Sequence, residues 1–107
     1  MYLFGEVPII NFPFSDGIRS KRRPVMVIKD TADNDILIAK ITSQVYNTEF
    51  DVYVNDWQSA GLLSQSYIRT HKIQTLHSSL VFGNIGRLTN ADLKSVRRTL
   101  GKLIINL

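Results

Sequence analysis

Short apolar runs alternate with polar punctuation along the chain, and their spacing separates strands from helix. Residues 7–14, VPIINFPF, are apolar enough for a first strand. Pro8 and Pro13 place it at a sheet edge or a barrel margin, because proline donates no hydrogen bond to a ladder. Residues 15–22 open on Ser15-Asp16-Gly17 and read as a loop. The β-branched run VMVIK at 25–29 predicts a strand buried on both faces. DTADND is a turn cluster, and ILIAKIT at 36–42 predicts a second buried strand, so 25–42 reads as a hairpin. In DVYVN at 51–55, Val52 and Val54 fall on one face and Tyr53 on the other, the pattern of a half-exposed strand.

The next segment, SYIRTHKIQTL at 66–76, fits less well. Tyr67, Arg69, His71 and Ile73 share one strand face; Ile68, Thr70, Lys72 and Gln74 share the other. Neither face is apolar throughout, which predicts an irregular strand near a site or an interface. LVFGNIGRL at 80–88 contains two glycines and predicts a short strand. The period then changes. Leu93, Val96, Leu100, Leu103 and Ile104 recur at helical spacing, with Lys94, Arg97, Arg98 and Lys102 on the outer face. Thr89 is the expected N-cap, with Asp92 three residues on, close to a capping box. Short strands and one late helix predict a mainly β fold, either a small barrel or a strongly bent sheet, capped by the helix.

Composition narrows the function. A chain of 107 residues reads as one domain, 1–107, able to build a modest core without metal or disulfide staples. There is no cysteine, which excludes thiolate zinc sites and cysteine nucleophiles and fits a reducing cytosol. The net charge of +4 favours a polyanionic partner, nucleic acid or an acidic protein. No apolar run approaches a membrane span, and the N-terminus lacks the basic flank of a signal peptide, so a cytoplasmic location without membrane contact is expected. The charge concentrates in FSDGIRSKRRPV, where Arg19, Lys21, Arg22 and Arg23 crowd one segment and Pro24 starts the apolar run.

With those residues in view, the chain resembles the MazF/PemK family, the growth-inhibiting toxins of type II toxin–antitoxin modules. The resemblance rests on an ordered set: GEVPIINF leading into FPFSDG and KRRPVMVI, then ILIAKITSQ, GLLSQSYIRTHKIQTL and IGRLTNADLKSVRRTL. It implies an SH3-like barrel of the MazF/CcdB type with a C-terminal amphipathic helix, a homodimer, and cleavage of single-stranded RNA without a metal or other cofactor. It also implies a cognate antitoxin that blocks the site. The family's catalytic arginine corresponds to Arg23, before the proline, and its threonine to Thr42, which closes IAKIT. Arg19, Lys21, Arg22, Ser43, Gln44, Arg69 and Lys72 are the expected RNA contacts. The family commonly carries aspartate where His71 stands.

Chemistry constrains the roles. Metal-free RNA cleavage uses the ribose 2′-OH as nucleophile, so the protein must orient it, stabilise charge on phosphorus and move protons. A guanidinium matches two phosphate oxygens with its planar fork but holds its protons too tightly to shuttle them. Arg23 is therefore expected to stabilise charge and Thr42 to position the phosphate. Glu6, Asp16 and His71 remain open as acid or base, and His77 by chemistry only. Strand 25–29 would mount Arg23 rigidly, and loop 15–22 would close over a bound strand. Tyr67 and Trp57 are candidates for base stacking, against core packing. Two other readings stand beside the nuclease: a toxin that binds a protein target such as DNA gyrase, and a nucleic-acid-binding module without catalysis.

Overall fold

Six strands and one helix account for the chain in a computed structural model that describes residues 1–13, 17, 18, 20–105 and 107. The strands are β1 (Glu6–Pro13), β2 (Ser20–Asp30), β3 (Asp35–Thr42), β4 (Asp51–Tyr53), β5 (Tyr67–His77) and β6 (Val81–Arg87). A 3-10 turn, Ser78–Leu80, precedes β6, and α1 (Asn90–Ile105) ends the chain. The strands form one antiparallel sheet in the order β4-β5-β3-β2-β1-β6. It does not close, so β4 and β6 are its edges. The mainly β fold with a C-terminal amphipathic helix is therefore as the sequence predicts.

Alternation along the hairpin β2–β3 splits the apolar residues between two clusters. Val7, Met26, Ala39, Ile41, Val52 and Ile68 join Leu93 and Val96 of α1 in the larger one. Ile10, Val25, Ile36, Ile38 and Leu76 form the smaller. Leu93, Val96 and, partly buried, Leu100 carry the helix's contact face, whereas Ile104 and Ile105 are exposed. Two glycines permit close approaches. Gly5 has φ +88°, and a Cβ there would sit 2.2 Å from Leu93 Cδ2. Gly61 has φ +84°, and its Cβ would meet the Ile85 carbonyl oxygen at 2.2 Å.

The start of α1 is tied to the β4–β5 connection. Asp92 is 1% exposed. Its carboxylate accepts from the amides of Asn55 (3.1 Å) and Asp56 (2.9 Å). Thr89 Oγ1 accepts the Asp92 amide at 3.4 Å, the expected N-cap bond, and donates to Asp56 at 2.8 Å. Asp92 thus does more than complete a capping box: it fixes a loop 36 residues away in sequence.

Three features differ from the sequence reading. β1 is not an edge; it pairs with both β2 and β6, and register shifts at Val7/Pro8 and Ile9/Ile10 remove the need for a ladder donor at Pro8. Residues 20–22, read as the end of a loop, are strand, because pairing of Lys21 with Phe12 and Arg23 with Ile10 extends β2 beyond its apolar core. The irregularity expected in β5 is a bulge: Ala39 pairs with Ile73 but Lys40 with Arg69, leaving residues 70–72 without partners on β3. Thr70 there donates both its amide (3.1 Å) and its hydroxyl (2.8 Å) to the Phe50 carbonyl.

Candidate RNA-binding cleft

A cleft of about 550 Å³ opens at the end of the β2–β3 hairpin remote from its turn. Lys21, Arg23 and Val25 project into it from alternate positions of β2, and Ile38, Lys40 and Thr42 from alternate positions of β3. Register explains the convergence, since Val25 pairs with Lys40. Pro24 and Ile41, between those positions, also reach the cleft wall, and Phe12, Gln74 and the segment after β3, with Ser43, Gln44 and Tyr46, complete the lining. Arg23, Lys21 and Lys40 are exposed, and Arg23 forms no ion pair or side-chain hydrogen bond with a described residue. Its guanidinium is therefore available to a ligand.

Thr42 has a defined hydrogen-bonding state. Its Oγ1 accepts the Gln44 amide at 3.1 Å, which folds residues 42–44 into a tight turn. One lone pair is occupied and the hydroxyl hydrogen remains free to donate into the cleft.

Of the residues expected at the site, Arg23, Thr42, Lys21, Ser43 and Gln44 line this cleft. Arg22, one position out of phase, does not; its guanidinium lies 3.6 Å from the centre of the Phe82 ring on β6. Arg19 and Asp16 lie outside the described residues. Lys72 is exposed in the β5 bulge and Glu6 is bound to the Leu3 amide and to Asn84 beside β6, both away from the lining. The lining adds Lys40 and Tyr46, which the sequence reading missed. Lys40 was accessible to the parity argument, two residues before Thr42 in IAKIT.

Arg69 and His71 sit behind the cleft wall. Arg69 is only 8% exposed, and its Nε bonds Asp51 Oδ1 at 2.9 Å, with the Asp51 side chain 3% exposed. Burial alone would raise the Asp51 carboxyl. The Thr48 hydroxyl (2.7 Å) and amide (3.1 Å), with the Arg69 guanidinium, outweigh it and hold the group below the usual carboxylate range. The Arg69 guanidinium also lies 3.6 Å from the centre of the Tyr46 ring, and its Nη2 is 3.4 Å from His71 Nε2. A guanidinium only donates, so Nε2 is the acceptor in that contact, and Nδ1 is buried without a partner among the described residues. His71 also packs against Phe50, centroids 5.8 Å apart. Of the two aromatic candidates, Trp57 packs on the larger core cluster and Tyr67 against Tyr53.

The described residues contain no group of three or more His, Asp or Glu side chains placed to hold a metal ion, and no helix long and apolar enough to cross a membrane.

An open antiparallel sheet backed by a C-terminal helix thus carries an exposed arginine and a threonine, side by side on adjacent strands, in one basic cleft. Residues 4–104 match the PemK-like, MazF-like toxins of type II toxin–antitoxin systems, and the chain belongs to that family. Solved structures agree on the fold. An endoribonuclease from a mycobacterial species, in complex with its cognate antitoxin, is 14% identical; the match covers 95% of this chain and 93% of that one, with a TM-score of 0.77. A MazE–MazF structure from Deinococcus radiodurans is 20% identical, with 94% of each chain covered and a TM-score of 0.77. A MazF toxin from Mycobacterium tuberculosis is 21% identical over 89% of this chain and 93% of that one, with a TM-score of 0.70. Comparison with curated proteins finds no match.

Proposed function

We propose that the chain is an endoribonuclease toxin that cuts single-stranded RNA at the β2–β3 cleft without a metal ion. The observation that carries this reading is the convergence of Arg23 and Lys21 with Thr42, Ser43 and Gln44 in one open, basic cleft. The ribose 2′-hydroxyl gives up its proton as its oxygen bonds the adjacent phosphorus, the P–O5′ bond breaks, the 5′-oxygen takes up a proton in exchange, and a 2′,3′-cyclic phosphate remains. Arg23 neutralises the charge that builds on the phosphoryl oxygens, and Thr42 donates a hydrogen bond to one of them. Lys21 and Lys40 hold the flanking phosphates.

The toxin acts as a homodimer and is neutralised by an acidic antitoxin segment that competes with RNA for the cleft. The cognate antitoxin named for a similar structure supports the antitoxin part of this reading. One observation favours a second reading, an RNA-binding module without catalysis: no carboxylate or imidazole is among the described residues lining the cleft.

The test is cleavage of a mixed-sequence single-stranded RNA in EDTA. Cuts at a repeated short motif are expected, abolished by 2′-deoxy substitution at the cut and slowed about 10²–10³-fold by Arg23→Ala, the usual loss for one preorganised donor. Intact RNA that still binds with salt-sensitive affinity would establish the second reading.

A further inference from the structure

Tyr46 stands on an irregular segment between β3 and β4, yet it is held on two sides. Its ring lies 3.6 Å from the Arg69 guanidinium, and its hydroxyl donates to Gln44 Oε1 at 3.2 Å. Arg69 is immobilised in turn by Asp51, and Asp51 by Thr48. Tyr46 is 43% exposed and lines the same cleft as Thr42. A surface tyrosine with no partner to meet would not need a buried ion pair beneath it. The cation–π contact holds the ring in place, and the exposed part of Tyr46 adds an oriented aromatic surface to a basic groove. That combination suits an unpaired nucleobase, which needs a π-face to stack on while its phosphates meet cations.

We propose that Tyr46 is the base-stacking platform for a nucleotide next to the phosphate held by Arg23 and Thr42, with Arg69 as its positioning residue. Arg69 then acts on RNA through the Tyr46 ring and touches no phosphate. This inference rests on the RNA-binding reading of the cleft.

The experiment measures binding of a single-stranded RNA made non-cleavable by 2′-deoxy substitution at the cut alone and containing 2-aminopurine, whose fluorescence is quenched on stacking. Wild type is expected to bind and quench. Tyr46→Ala should weaken binding about 5- to 150-fold, the range for losing one base–aromatic stack, and abolish the extra quenching. Tyr46→Trp should restore both. The double variant Asp51→Asn/Arg69→Met removes both charges together; it should reduce quenching while leaving the slope of log K against log salt unchanged. A direct phosphate contact by Arg69 would instead lower that slope by about 0.7.

Several outcomes would overturn the proposal. If Tyr46→Ala, folded by its thermal melt, binds and quenches as wild type while Arg23→Ala weakens binding, the platform is refuted and the RNA reading stands. If the double variant lowers the salt slope, the positioning role is refuted. If wild type binds no oligonucleotide, the cleft reading fails and the platform with it.

Discussion

Replacing Asp92 with alanine should unfold the chain more readily than any surface substitution on α1. The carboxylate is 1% exposed and accepts the amides of Asn55 and Asp56. Alanine strands both donors. Each buried donor left without a partner costs about 1–3 kcal/mol, but Asn55 and Asp56 are themselves exposed, so water recovers part of that. The net loss is about 3 kcal/mol, which is a large share of the roughly 5–15 kcal/mol that stabilises a small domain. Asp92→Asn keeps one acceptor oxygen and sets an NH₂ against the other amide, so about 2 kcal/mol is expected. Thr89→Ala, removing only the cap, should cost about 1 kcal/mol. Urea titration followed by Trp57 fluorescence measures all three at one protein concentration, because Trp57 packs on the core beside this loop. An Asp92→Ala loss below that of Thr89→Ala would refute the reasoning, since the carboxylate would then be acting only as part of the cap.

Strand parity gives the second prediction: Lys21→Ala and Arg23→Ala should each lower the salt slope of RNA binding by about 0.7, whereas Arg22→Ala, stacked on Phe82, should leave it unchanged. A uniform effect of all three would show that β2 twists out of the described register when RNA binds. The third concerns acid. Asp51 has a folded-state pKa below its unfolded value, so its contribution to stability is complete above about pH 4 and is lost as pH falls through the folded value. Asp51→Asn should therefore flatten the acid limb of a thermal-melting series relative to wild type; an unchanged limb would remove the Asp51–Arg69 pair from the account.

The central hairpin and the helix were legible because their signals are local. VMVIK and ILIAKIT are β-branched runs with a turn cluster between them, and the stripe from Leu93 to Leu100 keeps helical period. Elements set by distant partners were less so. Ser20–Arg22 carries the composition of a loop and becomes strand only because β1 pairs with it. Pro8 sits inside the sheet because bulges absorb it, and a bulge leaves no mark in a polar–apolar pattern. At the cleft, Arg23 and Thr42 followed from the family's motif, and strand parity would also have given Lys40. Arg69 is buried against Asp51, 18 residues away in sequence, a pairing beyond any spacing argument. Tyr46 was missed for the same reason.

The cleft stands at the open end of the β2–β3 hairpin, and the turn at 31–34 closes the other end. That separation leaves the tip of the turn, between the Asp30–Tyr2 and Asn34–Ser78 hydrogen bonds, as the place where chain length can change without touching the cleft. Asp30 and Asp33 bond backbone and hydroxyl groups there, so they belong to the turn and not to the site. Residues can be added or exchanged there at the small entropic cost of a longer loop while the Val25–Lys40 pairing still sets the spacing of Arg23 and Thr42. An epitope or fluorophore inserted at 32–33 would then sit at the far end of the hairpin from the cleft, giving a handle on the protein that leaves the cleft's lining unchanged.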